Sequence, residues 1–303
     1  MIHEYALEPQ LISNWQDFRY FTEKFGVPQG RLISRYPKSW KRLVYESLEN
    51  CGEIERKKIE EKLNTLDDRI LRRPNSGWDP QLQWLANAEI EHGRKPFHAV
   101  LARDNPNGQV FVLRGDDIDE INPLWGVRRT EVVPREAARM AQAIAPLLQV
   151  SNAILFVDPH FNPNREEYRR TLREFFTATF ERREYPLPGR IEVHLSGGDD
   201  KPDGAYFAEI CRRWLPNLIP AGVRVGLVRW RQRAGGEELH NRYVLTNLGG
   251  IRFGAGLDEG EGGETDELEI LDGAAHQLRL SQYNPAGTTF DLVDQLVVIG
   301  IRH

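Results

Sequence analysis

The chain has 303 residues, of which 40% are hydrophobic and 28% are charged, a composition typical of a folded globular protein and not of a disordered or fibrous one. The formal net charge of −5 at pH 7 argues against a general nucleic-acid coat protein but leaves room for a local basic groove. Because chains longer than about 250 residues tend to split into domains, we expect two of them, residues 1–135 and 136–303.

Cysteine usage and hydropathy exclude several further classes. The two cysteines, Cys51 and Cys211, lack the spacing of zinc ligands and are too few for a disulfide framework. No apolar run approaches the roughly 18 residues of a membrane span, and the first residues lack the basic and apolar regions of a secretory signal. We therefore expect a cytoplasmic protein that uses no metal or cofactor and does not contact a membrane.

The N-terminal region is predicted to be mainly helical, with a possible role in partner recognition. Residues 14–27 place apolar side chains at the spacing of one helix face, with Ser13 or Asn14 as the N-cap. A second helix is expected after Pro37, and residues 53–72 carry the alternating charges of a solvated helix. Further along, two β-rich runs flank the turn signal Asn-Pro-Asn-Gly, which predicts a hairpin over residues 97–114.

The C-terminal half has the alternation of an α/β fold. Apolar strand-like runs alternate with amphipathic helical runs, in the order AILFVDPHF, EEYRRTLREFFTATF, RIEVHLS, AYFAEICRRWL, VRVGLVRW and HNRYVLTN. Strands that are apolar throughout indicate a sheet covered by helices on both faces. The overall fold class predicted is therefore α/β, with a layered mixed sheet in residues 136–303.

Four polar side chains border two of these strands. Asp158 and His160 follow the first strand, whereas His240 and Arg242 begin the last one. Ligands of α/β sheets bind beyond the carboxyl ends of the strands, so all four meet at one edge only if the last strand runs antiparallel to the first. Alternatively, Asp158, Pro159 and His160 form a strand-ending turn in which the aspartate caps the helix that starts after Asn164.

The spacing His240-x-Arg242-x-x-x-x-Asn247 resembles the His-x-Lys-x-x-x-x-Asp signature of the phospholipase D superfamily. The following GGIRFGAG and the order of the preceding strands and helices are also similar to one phospholipase-D-like domain, and the resemblance covers about half of the chain. It implies that His240 attacks phosphorus to give a phosphohistidine, that Arg242 binds the phosphate oxygens, and that Asn247 orients the histidine, without a metal.

The sequence departs from this family pattern at two of its three positions. Arginine in place of lysine grips phosphate bidentately, while asparagine in place of aspartate cannot stabilise an imidazolium, so Glu237 or Glu238 would have to substitute. The family uses two copies of the motif at one site and this chain has one. Catalysis would then need a homodimer, or a second histidine such as His160 as the acid for the leaving group.

A basic stripe and an acidic stretch flank this motif. Arg229, Arg231 and Arg233 alternate along a strand, and Trp230 lies between them, which suits a phosphodiester backbone and a stacked base; balancing the downstream acids is the other interpretation. Asn241 is a further candidate for phosphate binding. The acidic residues 258–272 lack the spacing of a calcium loop and indicate a solvated or autoinhibitory flap.

Two functions of different classes follow from these residues. One is a phosphodiester-binding protein acting as a metal-independent nuclease, within a bacterial defence or DNA-processing system, with nucleic acid and a second copy or other protein components as its partners. The other is a non-catalytic adaptor that retains a degenerate phospholipase-D-like fold.

Overall fold

The computed structural model describes residues 1–73, 77–181, 183–198 and 201–303, and the chain divides into two compact units. The first unit is Met1–Arg129 and the second is Thr130–His303. The division falls a few residues before the predicted boundary, because the strand that begins at Thr130 pairs within the second unit. Both units are α/β, which confirms the predicted class of the chain, whereas the first unit was predicted to be mainly helical and contains a five-stranded sheet. Within the described ranges, no helix is both long enough and apolar enough to cross a membrane.

The first unit is built on short strands separated by helices. Its strands are β1 (His3–Leu7), β2 (Arg31–Arg35), β3 (Ile70–Arg72), β4 (Ala99–Ala102) and β5 (Val112–Arg114). Its helices are α1 (Trp15–Glu23), α2 (Trp40–Glu46), α3 (Glu53–Asn64) and α4 (Trp84–Arg94). Asn14 is the N-cap of α1, because its side-chain oxygen accepts a hydrogen bond from the Asp17 N–H.

These strands form a five-stranded parallel sheet in the order β3-β2-β1-β4-β5. The hairpin expected over residues 97–114 is therefore wrong, since β4 and β5 run in the same direction. The turn signal itself is real, as Gly108 adopts φ +60° and the Asn105 side chain bonds to the Gln109 backbone. After that turn the chain returns to the end of the sheet at which β4 begins, and β5 starts there. The region that was predicted to be mainly helical therefore contains a doubly wound parallel sheet.

The second unit contains a larger sheet. Its strands are β6 (Thr130–Pro134), β7 (Ala153–Val157), β8 (Arg190–Ser196), β9 (Arg224–Gln232), β10 (Arg242–Thr246), β11 (Gly250–Phe253), β12 (Thr265–Ile270) and β13 (Phe290–Ile299). Its helices are α5 (Ala137–Val150), α6 (Glu166–Phe180), α7 (Gly204–Trp214) and α8 (Gly273–Gln282). The strand order is β13-β9-β8-β7-β10-β11-β12-β6, and within the described residues the parallel neighbouring pairs are β7–β8 and β8–β9.

Successive side chains of a strand point to opposite faces of the sheet. The central strands are apolar on both faces, and helices cover both. On one face Phe156 of β7 stacks against Phe175 of α6, with ring centroids 5.4 Å apart. On the other face Leu155 and Val157 belong to a buried cluster against which Leu280 of α8 packs. The apolar strand runs of the sequence are thus explained by burial on two sides.

Candidate functional site

The carboxyl end of β7 and the amino end of β10 lie at the same edge of the second sheet. The two strands are antiparallel, with Tyr243 opposite Val157, so Arg242 begins its strand beside the point where Asp158 leaves the other. This is the orientation required to bring the two pairs of candidate residues to one edge. Asp158, His160, His240 and Arg242 therefore share a common region of the fold.

Asp158 is buried and holds two loops in place. Its Oδ1 accepts a hydrogen bond of 2.8 Å from the His160 N–H, and its Oδ2 accepts one of 2.9 Å from the Leu257 N–H. Burial raises the pKa of the Asp158 carboxyl, and the two N–H donors and the charge of Arg242 oppose that rise. The expected turn is present, but Asp158 does not cap the helix that follows, because α6 begins at Glu166 with Arg165 as its N-cap.

The Arg242 guanidinium lies close enough to this carboxylate for its charge to act on it. It is half-buried, its Nε is shielded from solvent, and among the residues that the structure describes it has no hydrogen-bond or ion-pair partner. Its charge acts on Asp158 and on Tyr168 of α6. A guanidinium at a sheet edge whose N–H groups have no acceptor can bind an anion through two parallel hydrogen bonds.

His240 is exposed and is paired with a carboxylate of its own segment. Its Nδ1 lies 3.3 Å from Oε2 of Glu238, and 57% of its side chain is accessible. This pairing leaves Nε2 as the free ring nitrogen. The sequence left open whether Glu237 or Glu238 pairs with the histidine, and in the structure it is Glu238. Asn241, which stands between His240 and Arg242, is half-buried.

A cavity of about 280 Å³ opens beside His160. It is bounded by the loop after β7, the end of β8 and the start of α7. The side chains of interest in its wall are His160, Arg165, Ser196, Lys201, Tyr206 and Arg229. The cavity therefore combines a histidine, three cations and an aromatic ring at the same sheet edge.

Asn247 does not occupy the position implied by the family resemblance. It follows the far end of β10, and its side-chain oxygen accepts hydrogen bonds from the N–H groups of Asn152 (2.8 Å) and Ala153 (3.0 Å). Because β10 rises by about 3.3 Å per residue, the whole strand separates Asn247 from His240. Asn247 therefore fastens the start of β7 and does not orient the histidine.

Trp230 is likewise not available for stacking on a base. Its side chain is 1% exposed and lies in the buried cluster between the sheet and α8. Its Nε1–H donates a hydrogen bond of 2.9 Å to Nδ1 of His194, and the two rings stack. The interpretation of Trp230 as part of a nucleic-acid surface is wrong, since the tryptophan faces the interior while the arginines beside it face the opposite side.

The predicted stripe of arginines is partly neutralised by β13. Arg229 is buried and lies 3.2 Å from the Asp294 carboxylate, while Arg233 pairs with Asp291 at 2.8 Å. Arg231 is exposed on the same strand. Balancing nearby acids, the alternative interpretation of the stripe, thus accounts for Arg229 and Arg233.

The Trp230 hydrogen bond also determines the protonation of His194. Because Nδ1 accepts from Trp230, the ring proton is on Nε2, which donates to Oε2 of Glu192 at 2.9 Å. Burial lowers the pKa of His194 from its usual 6.5, so the ring is neutral in the folded protein. Burial raises the pKa of Glu192, but hydrogen bonds from His194 and Arg190 outweigh it and bring that pKa to about 2.

Folding stability is expected to fall on acidification because of His194. The unfolded state binds a proton below pH 6.5 whereas the folded state does not, so this contribution is complete above pH 6.5 and is lost as the pH falls below it. The contribution of His194 to the slope of the free energy of unfolding against pH reaches at most about 1.4 kcal/mol per pH unit. Urea unfolding between pH 8 and pH 5 should show a flatter profile for His194→Gln, which keeps a donor and an acceptor. An unchanged profile would contradict a neutral His194.

The acidic residues 258–272 do not form a free flap. Arg135 bonds the Asp258 carboxylate at 2.8 Å and Glu264 at 2.7 Å, and β12 pairs on both sides with β11 and β6. A Cβ on Gly256 would lie 2.5 Å from Asp258 Oδ1, so a larger residue at this position would displace the Asp258 carboxylate. The sequence did not single out Arg135, whose only signal was its place before the Ala-rich helix.

In the part of the chain that the structure describes, no group of three or more histidine, cysteine or acidic side chains is arranged to hold a metal ion. No protein-family model, no curated protein and no solved structure matches this chain. The evidence for a function therefore comes from the residues at the edge of the sheet where β7 ends and β10 begins.

Proposed function

We propose that the unit Thr130–His303 binds a phosphodiester group of a nucleic acid at the edge where β7 ends and β10 begins, and cleaves it without a metal. The observation that carries this proposal is the half-buried Arg242 guanidinium, which has no hydrogen-bond partner among the described residues and follows the exposed His240 by two positions. A guanidinium so placed matches two oxygens of a phosphate.

His240 supplies the nucleophile in this proposal. Its Nε2 attacks phosphorus, the bond from phosphorus to the leaving oxygen breaks, and Glu238 stabilises the positive charge that develops on the ring through Nδ1. Arg242 stabilises the negative charge on the phosphoryl oxygens. Water then attacks phosphorus, the bond from phosphorus to Nε2 breaks, and the group that protonated the leaving oxygen takes up the proton from the water, so both groups return to their starting states.

The leaving oxygen needs a proton, and His160 is the donor proposed within the chain. His160 lies at the same edge of the sheet and lines the cavity of about 280 Å³, whose wall includes neither His240 nor Arg242. A second copy of the chain would provide a second His240 instead. Arg165 and Lys201 also line that cavity, and the Arg165 guanidinium lies 3.4 Å from Glu167 and 3.9 Å from Asp258.

A second candidate, an adaptor that binds phosphate or a protein without turnover, is favoured by one observation. The side chains expected to contact a nucleic acid along β9 are engaged within the unit, since Trp230 is buried and Arg229 and Arg233 pair with acids of β13. The two candidates share the Arg242 site and differ only in whether His240 reacts.

Binding is tested by replacing Arg242 with glutamine. Loss of a charge-assisted contact is expected to weaken the affinity for a labelled single-stranded DNA or RNA oligonucleotide about tenfold or more in EDTA. The slope of log affinity against log salt should become less steep by about 0.7. Fluorescence anisotropy measures both, and Arg139→Gln, on the exposed face of α5, is the matched control. Equal affinities of the Arg242 and Arg139 variants would refute binding at this site.

A further inference from the structure

The strand β13 forms a long edge of the second sheet. It has ten residues and pairs with β9 on one side, while no described strand pairs with it on the other. Four apolar side chains of this segment, Leu292, Val297, Ile299 and Ile301, are each between 41% and 55% exposed. Beside Val297 the neighbouring strand has Gly226, which offers no side chain to cover it. The edge is therefore both unpaired and apolar.

The backbone of β13 directs hydrogen-bonding groups away from the sheet. Gly300, which follows the strand, turns both of its backbone groups toward the β9 side: its N–H donates to the Val223 carbonyl at 2.9 Å, and its carbonyl accepts from the Gly222 N–H at 3.0 Å. Consecutive residues of an antiparallel strand turn these groups to alternate sides. Those of Val297 and Ile299 therefore point to the open edge, where a further strand can pair with them.

This edge lacks the features that usually prevent pairing with another chain, which are lysine, proline, short length and bulges. The stretch from Gln295 to Ile301, QLVVIGI, contains neither a charge nor a proline. The one irregularity in the pairing with β9 lies earlier, between Leu292 and Asp294. A long apolar edge without such protection indicates an interaction surface.

The charges around the strand identify a second copy of the chain as the partner. Asp291 and Asp294 lie near its beginning, whereas Arg302 and His303 follow its end. Both aspartates pair with arginines of their own unit, yet their side chains stay 53% and 39% exposed. When two β13 strands pair antiparallel, the acidic beginning of each lies against the basic end of the other, whereas a parallel pair would oppose like charges.

We propose that two copies of the chain pair antiparallel through β13, with Val297 opposite Val297 of the second copy, so that the two sheets become one. This register sets Gln295 opposite Ile299, and it sets Asp294 opposite Gly300, which has no side chain. It therefore places no carboxylate against an apolar side chain. Because the same surface is used by both copies, the contact closes as a dimer.

This dimer is distinct from one in which two copies share a phosphodiester site. The twofold axis is perpendicular to the joined sheet, so the carboxyl ends of β7 in the two copies lie at opposite edges. Each His240 then belongs to a separate site. The pairing through β13 holds whether or not the site at Arg242 binds a phosphodiester.

Sedimentation velocity of the full chain from about 1 µM to about 100 µM tests this pairing. The chain is expected to sediment as a dimer at the upper concentrations. Val297→Lys places two ammonium groups opposite each other at the axis and should raise the dissociation constant of the dimer at least about tenfold. The matched control is Val132→Lys, on β6 at the other edge of the same sheet, where Val132 is 65% exposed. This control should leave the dissociation constant unchanged.

A disulfide tests the register independently of the lysine variants. Residues opposite each other in a hydrogen-bonded antiparallel pair have Cα atoms about 5.5 Å apart, which is within the range of a disulfide. Val297→Cys should therefore form a disulfide-linked dimer on mild oxidation. Val132→Cys and the unchanged chain, which has Cys51 and Cys211, should not.

Three results would overturn the proposal. The first is a monomer at every concentration. The second is a dimer that Val297→Lys leaves intact or that Val132→Lys weakens equally. The third is the failure of Val297→Cys to cross-link beyond the level of Val132→Cys. Thermal unfolding followed by circular dichroism confirms that the variants are folded.

Discussion

Replacing His240 with alanine is expected to abolish the cleavage of nucleic acid that proceeds in EDTA, with a loss of about 10⁴-fold or more in rate. The reason is that, in the proposed reaction, Nε2 of His240 is the atom that bonds to phosphorus. The measurement is the single-turnover cleavage of end-labelled single-stranded and double-stranded DNA and RNA. Binding of the oligonucleotide should be largely retained, because Arg242 is unchanged.

The matched control is His303→Ala, which removes an exposed histidine outside the site and should leave the rate unchanged. Cleavage by His240→Ala at the rate of the unchanged chain would rule out His240 as the nucleophile. Binding without any cleavage by the unchanged chain would establish the adaptor function in place of the nuclease.

The source of the leaving-group proton is decided by the same assay. If His160 is the acid, His160→Ala should lower the rate by about 10²–10⁴-fold at all protein concentrations. If a second copy of the chain completes the site, His160→Ala should cleave normally and the rate per chain should rise with protein concentration.

Replacing Trp230 with alanine is expected to destabilise the second unit by about 3–5 kcal/mol. The indole fills space between the sheet and α8, and its removal also leaves Nδ1 of His194 buried without a donor. Urea unfolding followed by far-ultraviolet circular dichroism measures the free energy of unfolding. A loss below about 1 kcal/mol would show that Trp230 is not part of the core.

Two further variants separate volume from hydrogen bonding. Trp230→Phe keeps most of the apolar volume and loses the N–H donor, so it should cost less than Trp230→Ala, about 1–3 kcal/mol. Trp214→Ala removes a half-buried tryptophan whose Nε1–H donates to Asn164, and its smaller burial predicts a smaller cost than that of Trp230→Ala.

The second unit was the more predictable of the two. The runs AILFV, RIEVHLS and VRVGLVRW are continuous apolar segments, and each is a strand at the predicted place because it is covered on both faces. The proposed site requires β10 to run antiparallel to β7. This direction could not be predicted from the sequence, because the residues of a strand do not show which neighbour the strand pairs with. Trp230 was misjudged because alternation along β9 shows which residues share a face, not which face is buried.

The first unit was predicted less well, and its local sequence explains why. Its strands are only three to five residues long, and β3 and β5 have three each. Such short strands bear no periodicity that distinguishes them from helix ends or loops. The turn at Asn105–Gly108 has the sequence of a hairpin turn, and only the pairing of β4 with β5 shows that the chain crosses back before the next strand begins.

The sequence by itself determined the α/β class, the helix that Asn14 caps, the apolar strands of the second unit and the close spacing of His240 and Arg242. These follow from periodicity and local hydrogen bonding, which act over a few residues. The tertiary structure was needed to show that Asp158 and Arg242 lie at one edge of the second sheet and that Asn247 and Trp230 serve the framework. These depend on contacts between residues far apart in the chain, for which one sequence contains no local signal.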